Sequence, residues 1–319
     1  MKRPNKTLIL GNGFDLDLGL PTTYASFAAS KFWPLKDNDS IFSPLAQTLQ
    51  DAKDTQRWFD IEDILFRYAR ERELTEGDRV SRIFGSVAND KGVYQRVCDA
   101  LCIYIKAIQK RTPINKESLA ARVVNAIAAN GTFNKVLSFN YTDLDDICSR
   151  IGCKPLPYGH VHGSATNGAI ILGVSDEHRL QQGYECLYKS QSIYYKSSGV
   201  RTALKESSEV VFFGHSLGLQ DISYFSDFFT DSSDAGQSSE ERCRITFFTK
   251  DASSQDQLML NIRALNPASF GRFRDLNDVV FIRSEDADKD DLDEFFEHLY
   301  STSLASQQRI IDDLEKSFF

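Results

Sequence analysis

Four short segments carry residue types and spacings suited to chemistry. They are Gly11-Asn12-Gly13 in "LILGNGFDLDLGLP", Asn140 in "SFNYTD", His160 and His162 in "YGHVHG", and Gly214, Ser216 and Asp221 in "GHSLGLQD". Glycines directly after a strand permit positive φ and let backbone N–H groups approach a pyrophosphate. The third glycine of the dinucleotide fingerprint is missing, so a plain strand-to-helix turn is an equal reading of Gly11 to Gly13. Asn140 offers both a donor and an acceptor, which suits a sugar hydroxyl or a water; the plainer role is to satisfy its own loop. Thr142 and Asp143 stand where they would cap the next helix. His160 and His162 alternate and would share one face of an extended segment, as a metal-binding pair does. No further cluster of ligand-like spacing is evident, so one histidine acting as a general base, with the other structural, needs fewer coincidences. Asp15 would either anchor a ribose hydroxyl or cap the helix after the glycine loop, and the cap is the simpler role.

"GHSLG" also meets the formal Gly-x-Ser-x-Gly pattern of a nucleophile elbow at Ser216. Such a hydrolase needs a later histidine, and the one available is His298 in the acidic segment "DEFFEHLY". Cys98 and Cys102 stand at helical i, i+4 spacing and read as small buried residues. Cys148 and Cys153 could form half of a zinc site, but no second pair follows, so no metal is expected. Trp58, Asp60 and Glu62 in "WFDIED" could face a site, although an aromatic beside two solvated carboxylates is the simpler reading.

The elements that must position these residues are legible from pattern. "KTLILG", "NKVLSFNYT", "GAIILGVSD", "SEVVFFGHSLGLQD", "CRITFFTK" and "NDVVFIRSE" are short apolar runs that read as six strands, most ending in polar or glycine loops. Between the first two runs lie about a hundred residues with apolar positions at spacings of three and four, so residues 25–130 read as a helical insertion. Polar "DSSDAGQSSEE" at 231–241 reads as an exposed loop, and the acidic C-terminus as one or two amphipathic helices. The expected fold is α/β, a Rossmann-like, mostly parallel sheet in one domain over 1–319, and ligands of such sheets bind at the strands' carboxyl ends.

Composition narrows the function classes. The 319 residues are 41% hydrophobic, with 23 Phe and 12 Tyr, as in a packed globular protein. A net charge of -8 argues against a general nucleic-acid binder. Six cysteines in so long a chain read as reduced thiols. With no signal-like or membrane-length apolar run, a cytoplasmic location away from membranes is expected.

As an ordered set, the loops resemble the sirtuin-type pattern of glycine-rich loop, asparagine segment and histidine-glycine motif. More closely, "LILGNGFDLDLGLPTTY", "WFDIED", "SFNYTD", "YGHVHG" and "GHSLGLQDISYF" resemble the bacteriophage abortive-infection AbiH family over about residues 6–228. The resemblance implies a sirtuin-like NAD-binding domain in an anti-phage effector, with NAD as the substrate cleaved to nicotinamide and ADP-ribose. Carried over, Gly11, Asn12 and Gly13 would line the phosphates, Asn140 the nicotinamide-bearing ribose, and His162 would be catalytic. Gly214, Ser216 and Asp221 would border the adenosine ribose. The paired CxxC zinc ribbon of deacetylating sirtuins is missing, which argues against deacetylation. A non-catalytic nucleotide sensor and a metal-dependent hydrolase or nuclease are the alternatives. A phage trigger, a partner protein and further copies of the chain are the partners left open.

Overall fold

The computed structural model describes residues 5–55, 59–71, 86–234, 242–266 and 270–317. Trp58 and residues 235–241 of the acidic loop lie outside them. The strands are β1 (Asn5–Leu10), β2 (Lys135–Ser138), β3 (Tyr158–His160), β4 (Gly163–Ser164), β5 (Ala169–Ile170), β6 (Ser207–Phe213), β7 (Arg244–Thr249) and β8 (Asp278–Arg283). Six of them form one sheet in the order β3-β2-β1-β6-β7-β8, and every neighbouring pair is parallel. The chain therefore builds outward from β1 in one direction, returns, and builds outward in the other. That reversal between β1 and β6 is the order of doubly wound dinucleotide-binding folds, whose ligands bind outside the carboxyl ends of the two strands at the reversal.

The apolar runs are continuous because helices cover both faces of the sheet. Leu8, Leu10, Val211, Phe213 and Phe248 pack on one side against the helices Leu119–Asn130 and Leu144–Ile151. Ile9, Val210, Phe212, Ile245 and Phe247 pack on the other against Val200–Lys205, Ile222–Asp231 and Ala252–Leu265. In-register Phe212, Phe247 and Phe281 stack across three strands at centroid distances of 4.9 and 5.1 Å.

Two strand assignments differ from the sequence reading. "GAIILGVSD" supplies only the two residues of β5, which pair antiparallel with β4, while Ile170, Leu172 and Val174 pack into the helical core instead. The sixth strand is Tyr158–His160, the start of the histidine segment, paired with β2. Its glycine and polar neighbours hide it from a search for apolar runs. The helices between β1 and β2, chiefly Pro44–Thr55, Ile61–Glu71 and Ser86–Arg111, share a separate core with residues 165–187. At the C-terminus a single helix spans Lys289–Ser317.

Candidate functional site

The loops after β1 and β6 meet backbone to backbone. Gly13 N–H donates to the Gly214 carbonyl at 2.9 Å. Gly214 has φ +64°, and a Cβ there would lie 2.4 Å from the Gly13 backbone; one on Gly11 would lie 2.5 Å from the His215 Cα. Glycine is required here because two main chains occupy the space a side chain would need. The Asn12 side chain accepts from Thr22 Oγ1, which fixes the exposed corner of the loop.

Asn140, at the end of β2, is buried and ties the loops together. Its Nδ2 donates to the Gly11 carbonyl at 2.9 Å and also serves the Asp15 carboxylate. Asp15 does not cap its helix, whose N-cap Gly11 makes no side-chain bond. It is buried in the first turn and accepts from Thr142 Oγ1 at 3.0 Å. Burial pushes its carboxyl up to about 7 against the hydrogen bonds of Thr142 and Asn140. Asp143 alone caps the next helix, accepting from Asp145 and Asp146 N–H.

His162 follows the end of β3 and is 4% exposed. Its Nε2 lies 2.8 Å from Asp221 Oδ1, so Nε2 carries the proton and donates. Nδ1 is then a bare lone pair, and this buried atom has no hydrogen-bond partner among the described residues. Phe139 and Tyr224 pack against the ring at centroid distances of 5.2 and 5.9 Å. Lys189, also buried, places Nζ 2.8 Å from the same Asp221 oxygen, 3.2 Å from Glu62 Oε1 and 3.4 Å from His162 Nε2. The Gly173 N–H donates to Glu62 Oε1 at 3.0 Å. His215 accepts from the Leu217 N–H through Nδ1 and turns Nε2 toward Asp221 Oδ2 at 3.6 Å.

Charge states follow from these neighbours. Burial alone would raise Asp221, but Lys189 and His162 hold it well below the usual carboxylate range. Burial, then the Lys189 charge, pushes His162 down, which favours its neutral form. Burial also lowers His215, to about 4. Glu62 rises to about 7 by burial despite Lys189, and Lys189 itself is raised by Asp221 and Glu62 against its own burial. The arrangement is a carboxylate-oriented imidazole with one open basic nitrogen, set beside a fixed cation.

The model of the bacteriophage abortive infection AbiH family matches residues 7–239. That span runs from β1 through the whole histidine cluster. The chain belongs to the AbiH family. Membership ties it to phage abortive infection. No curated protein and no solved structure matches the chain.

Within this AbiH-family fold, Asn140, Gly11, Gly13, Asp15 and Gly214 converge at the β1/β6 reversal, while Asp221 reaches under His162. Ser216 is exposed, and its carbonyl accepts from Asn261. The elbow reading fails, because His298 bonds Glu209 at the opening of β6 whereas Ser216 follows its far end. His160 separates from His162 and donates through Nδ1 to the Asn140 carbonyl. Among the described residues no group of three or more His, Cys, Asp or Glu side chains is placed to hold a metal ion. All six cysteines are free thiols, and Cys98, Cys102 and Cys148 are buried. No described helix is long and apolar enough to cross a membrane.

No sequence pattern marks Lys189 or His215, and in the sequence Glu62 reads as a solvated carboxylate. Only "WFDIED", in the family pattern, pointed at Glu62. Asp60 caps the helix Ile61–Glu71 by accepting from the N–H groups of Glu62 and Asp63, which turns Glu62 inward to Lys189. Nothing in the spacing around Lys189 marks it; its partners come from segments 127 residues earlier and 32 later.

Proposed function

We propose that the chain is an abortive-infection effector that binds NAD at the β1/β6 crevice and cleaves it to nicotinamide and ADP-ribose. The observation that carries the reading is the buried Nδ1 of His162, unpartnered among the described residues, with Nε2 fixed on Asp221 near the strand-order reversal. The sirtuin-like order of glycine loop, asparagine and histidine supports NAD over other nucleotides. In the reaction, the bond between ribose C1′ and the ring nitrogen breaks and its electron pair neutralises the nicotinamide cation. Water attacks the oxocarbenium carbon and gives its proton to His162 Nδ1, a base contribution of about 10² to 10⁴-fold. Asn140 donates through Nδ2 to the Gly11 carbonyl, which leaves Oδ1 to act on a ribose hydroxyl or the water. Asn12 and the glycine corner face the phosphates, and the loop from Gly214 through Ser216 borders the adenosine side.

His162 is nearly enclosed, so this is a resting state that opens before turnover. The same enclosure favours a second reading, a nucleotide sensor that binds without cleaving. Nicotinamide and ADP-ribose are to be measured in phage-infected cells carrying wild type, Asn140→Ala or His162→Ala. The proposal expects NAD to collapse with wild type alone and protection to fail in both variants. Unchanged NAD with protection intact in the variants would overturn it. Tight ADP-ribose binding without product selects the sensor.

A further inference from the structure

We propose that Lys189 is a positioning residue, which balances the Asp221 carboxylate so that Asp221 orients His162 without turning it into an imidazolium. The proposal rests on His162 as the base of the crevice, but its test needs no turnover.

An aspartate bonded to a buried imidazole does two things at once. It fixes the tautomer, and its negative charge stabilises the protonated ring. The second effect is harmful to a base that must start with an empty nitrogen. Lys189 opposes it directly: its Nζ is 2.8 Å from Asp221 Oδ1, the same oxygen that accepts from His162, and 3.4 Å from His162 Nε2. A second proton on the ring would place two cations in near contact inside a region from which water is excluded. The other groups facing His162 do not replace this. His215 is neutral and reaches only the second Asp221 oxygen, Phe139 and Tyr224 present rings, and Glu62 acts through Lys189. Glu62 and the Gln220 carbonyl, 3.3 Å from Nζ, hold the ammonium in place. The helical insertion thus reaches the base through one lysine, since Glu62 lies on the helix Ile61–Glu71.

The test is an NMR titration of the His162 ring protons in the full chain. In Lys189→Met the midpoint is expected to rise by about one pH unit or more, while Lys189→Arg stays near wild type. Because Lys189→Met strands two carboxylates, the Glu62→Gln/Lys189→Met double variant removes one buried charge of each sign, and the same rise is expected there. A folded single or double variant with an unmoved midpoint overturns the proposal. Where NAD is cleaved, the acid limb of the pH profile should move with the midpoint. A shifted midpoint in a protein that never cleaves NAD would sink the cleavage reading and leave the role of Lys189 standing.

Discussion

Two carboxylates, Glu209 in β6 and Asp221 beyond it, stand toward opposite ends of the sheet, and each gathers a lysine and at least one histidine. At the amino end, Glu209 pairs with Lys6 at 2.6 Å and His298 at 3.1 Å. At the carboxyl end, Asp221 pairs with Lys189 and His162, both at 2.8 Å, with His215 3.6 Å from its second oxygen. The residue types match, yet the settings differ. Lys6 and His298 are 16% and 25% exposed, and together they clamp the C-terminal helix and β1 to β6. Lys189 and His162 are 3% and 5% exposed, and the His162 ring keeps an unpartnered nitrogen beside the strand-order reversal. A carboxylate, a lysine and a histidine therefore do not define a site. Enclosure and a position at the carboxyl ends of parallel strands do.

The comparison breaks most sharply on the histidines. If the chain cleaves NAD as proposed, His162→Ala is expected to lower nicotinamide release by about 10² to 10⁴-fold, with no comparable loss in His298→Ala. If the two variants lose cleavage equally, the two ends are equivalent and the site assignment fails. Next come the carboxylates, read by denaturant unfolding. Asp221→Asn leaves a buried lysine half-paired and is expected to cost about 3–5 kcal/mol. Glu209→Gln should cost only about 1–3 kcal/mol, because Lys6 and His298 can turn toward water.

Acidity sharpens the contrast by opposite signs. Burial would raise Glu209, but His298 and Lys6 hold it below the ordinary glutamate range, so its stabilisation is present above that range and lost on acidification. Asp15 is raised from 3.8 to about 7 by burial, so the folded state holds its proton more tightly than the unfolded chain. Its contribution is full at low pH and declines as pH climbs through that window. Unfolding curves against pH should therefore lose part of their neutral-side decline in Asp15→Asn and part of their acid-side decline in Glu209→Gln. Gly214→Ala is expected to lower Tm by more than the strain at φ +64° alone, about 1–3 kcal/mol, because the added Cβ would lie 2.4 Å from the Gly13 backbone.

Much of the frame is legible in the sequence. Continuous apolar runs such as "TLIL" and "VVFF" are what a sheet covered on both faces requires, and polar groups at their ends predicted where the loops converge. The parallel α/β class and the grouping of the glycine, asparagine and histidine loops followed from that. The short strand Tyr158–His160 was not legible, because three residues with a central glycine carry no period. Glu62 was misread for a similar reason: an amphipathic pattern tells which face is apolar, not whether a carboxylate beside it meets a buried cation.

Sequence by itself determined local preference: five of the six strands of the main sheet, the capping role of Asp143, the need for glycine where the chain turns, and the family to which the chain belongs. Those are set by a residue and its near neighbours. Only the tertiary structure decided that Asp221 orients His162 while Asp15 is enclosed by Thr142 and Asn140, and that Lys189 is shared by Asp221 and Glu62. Charge state and hydrogen-bond direction depend on distance and on exclusion of water, and both are fixed by segments far apart in the chain.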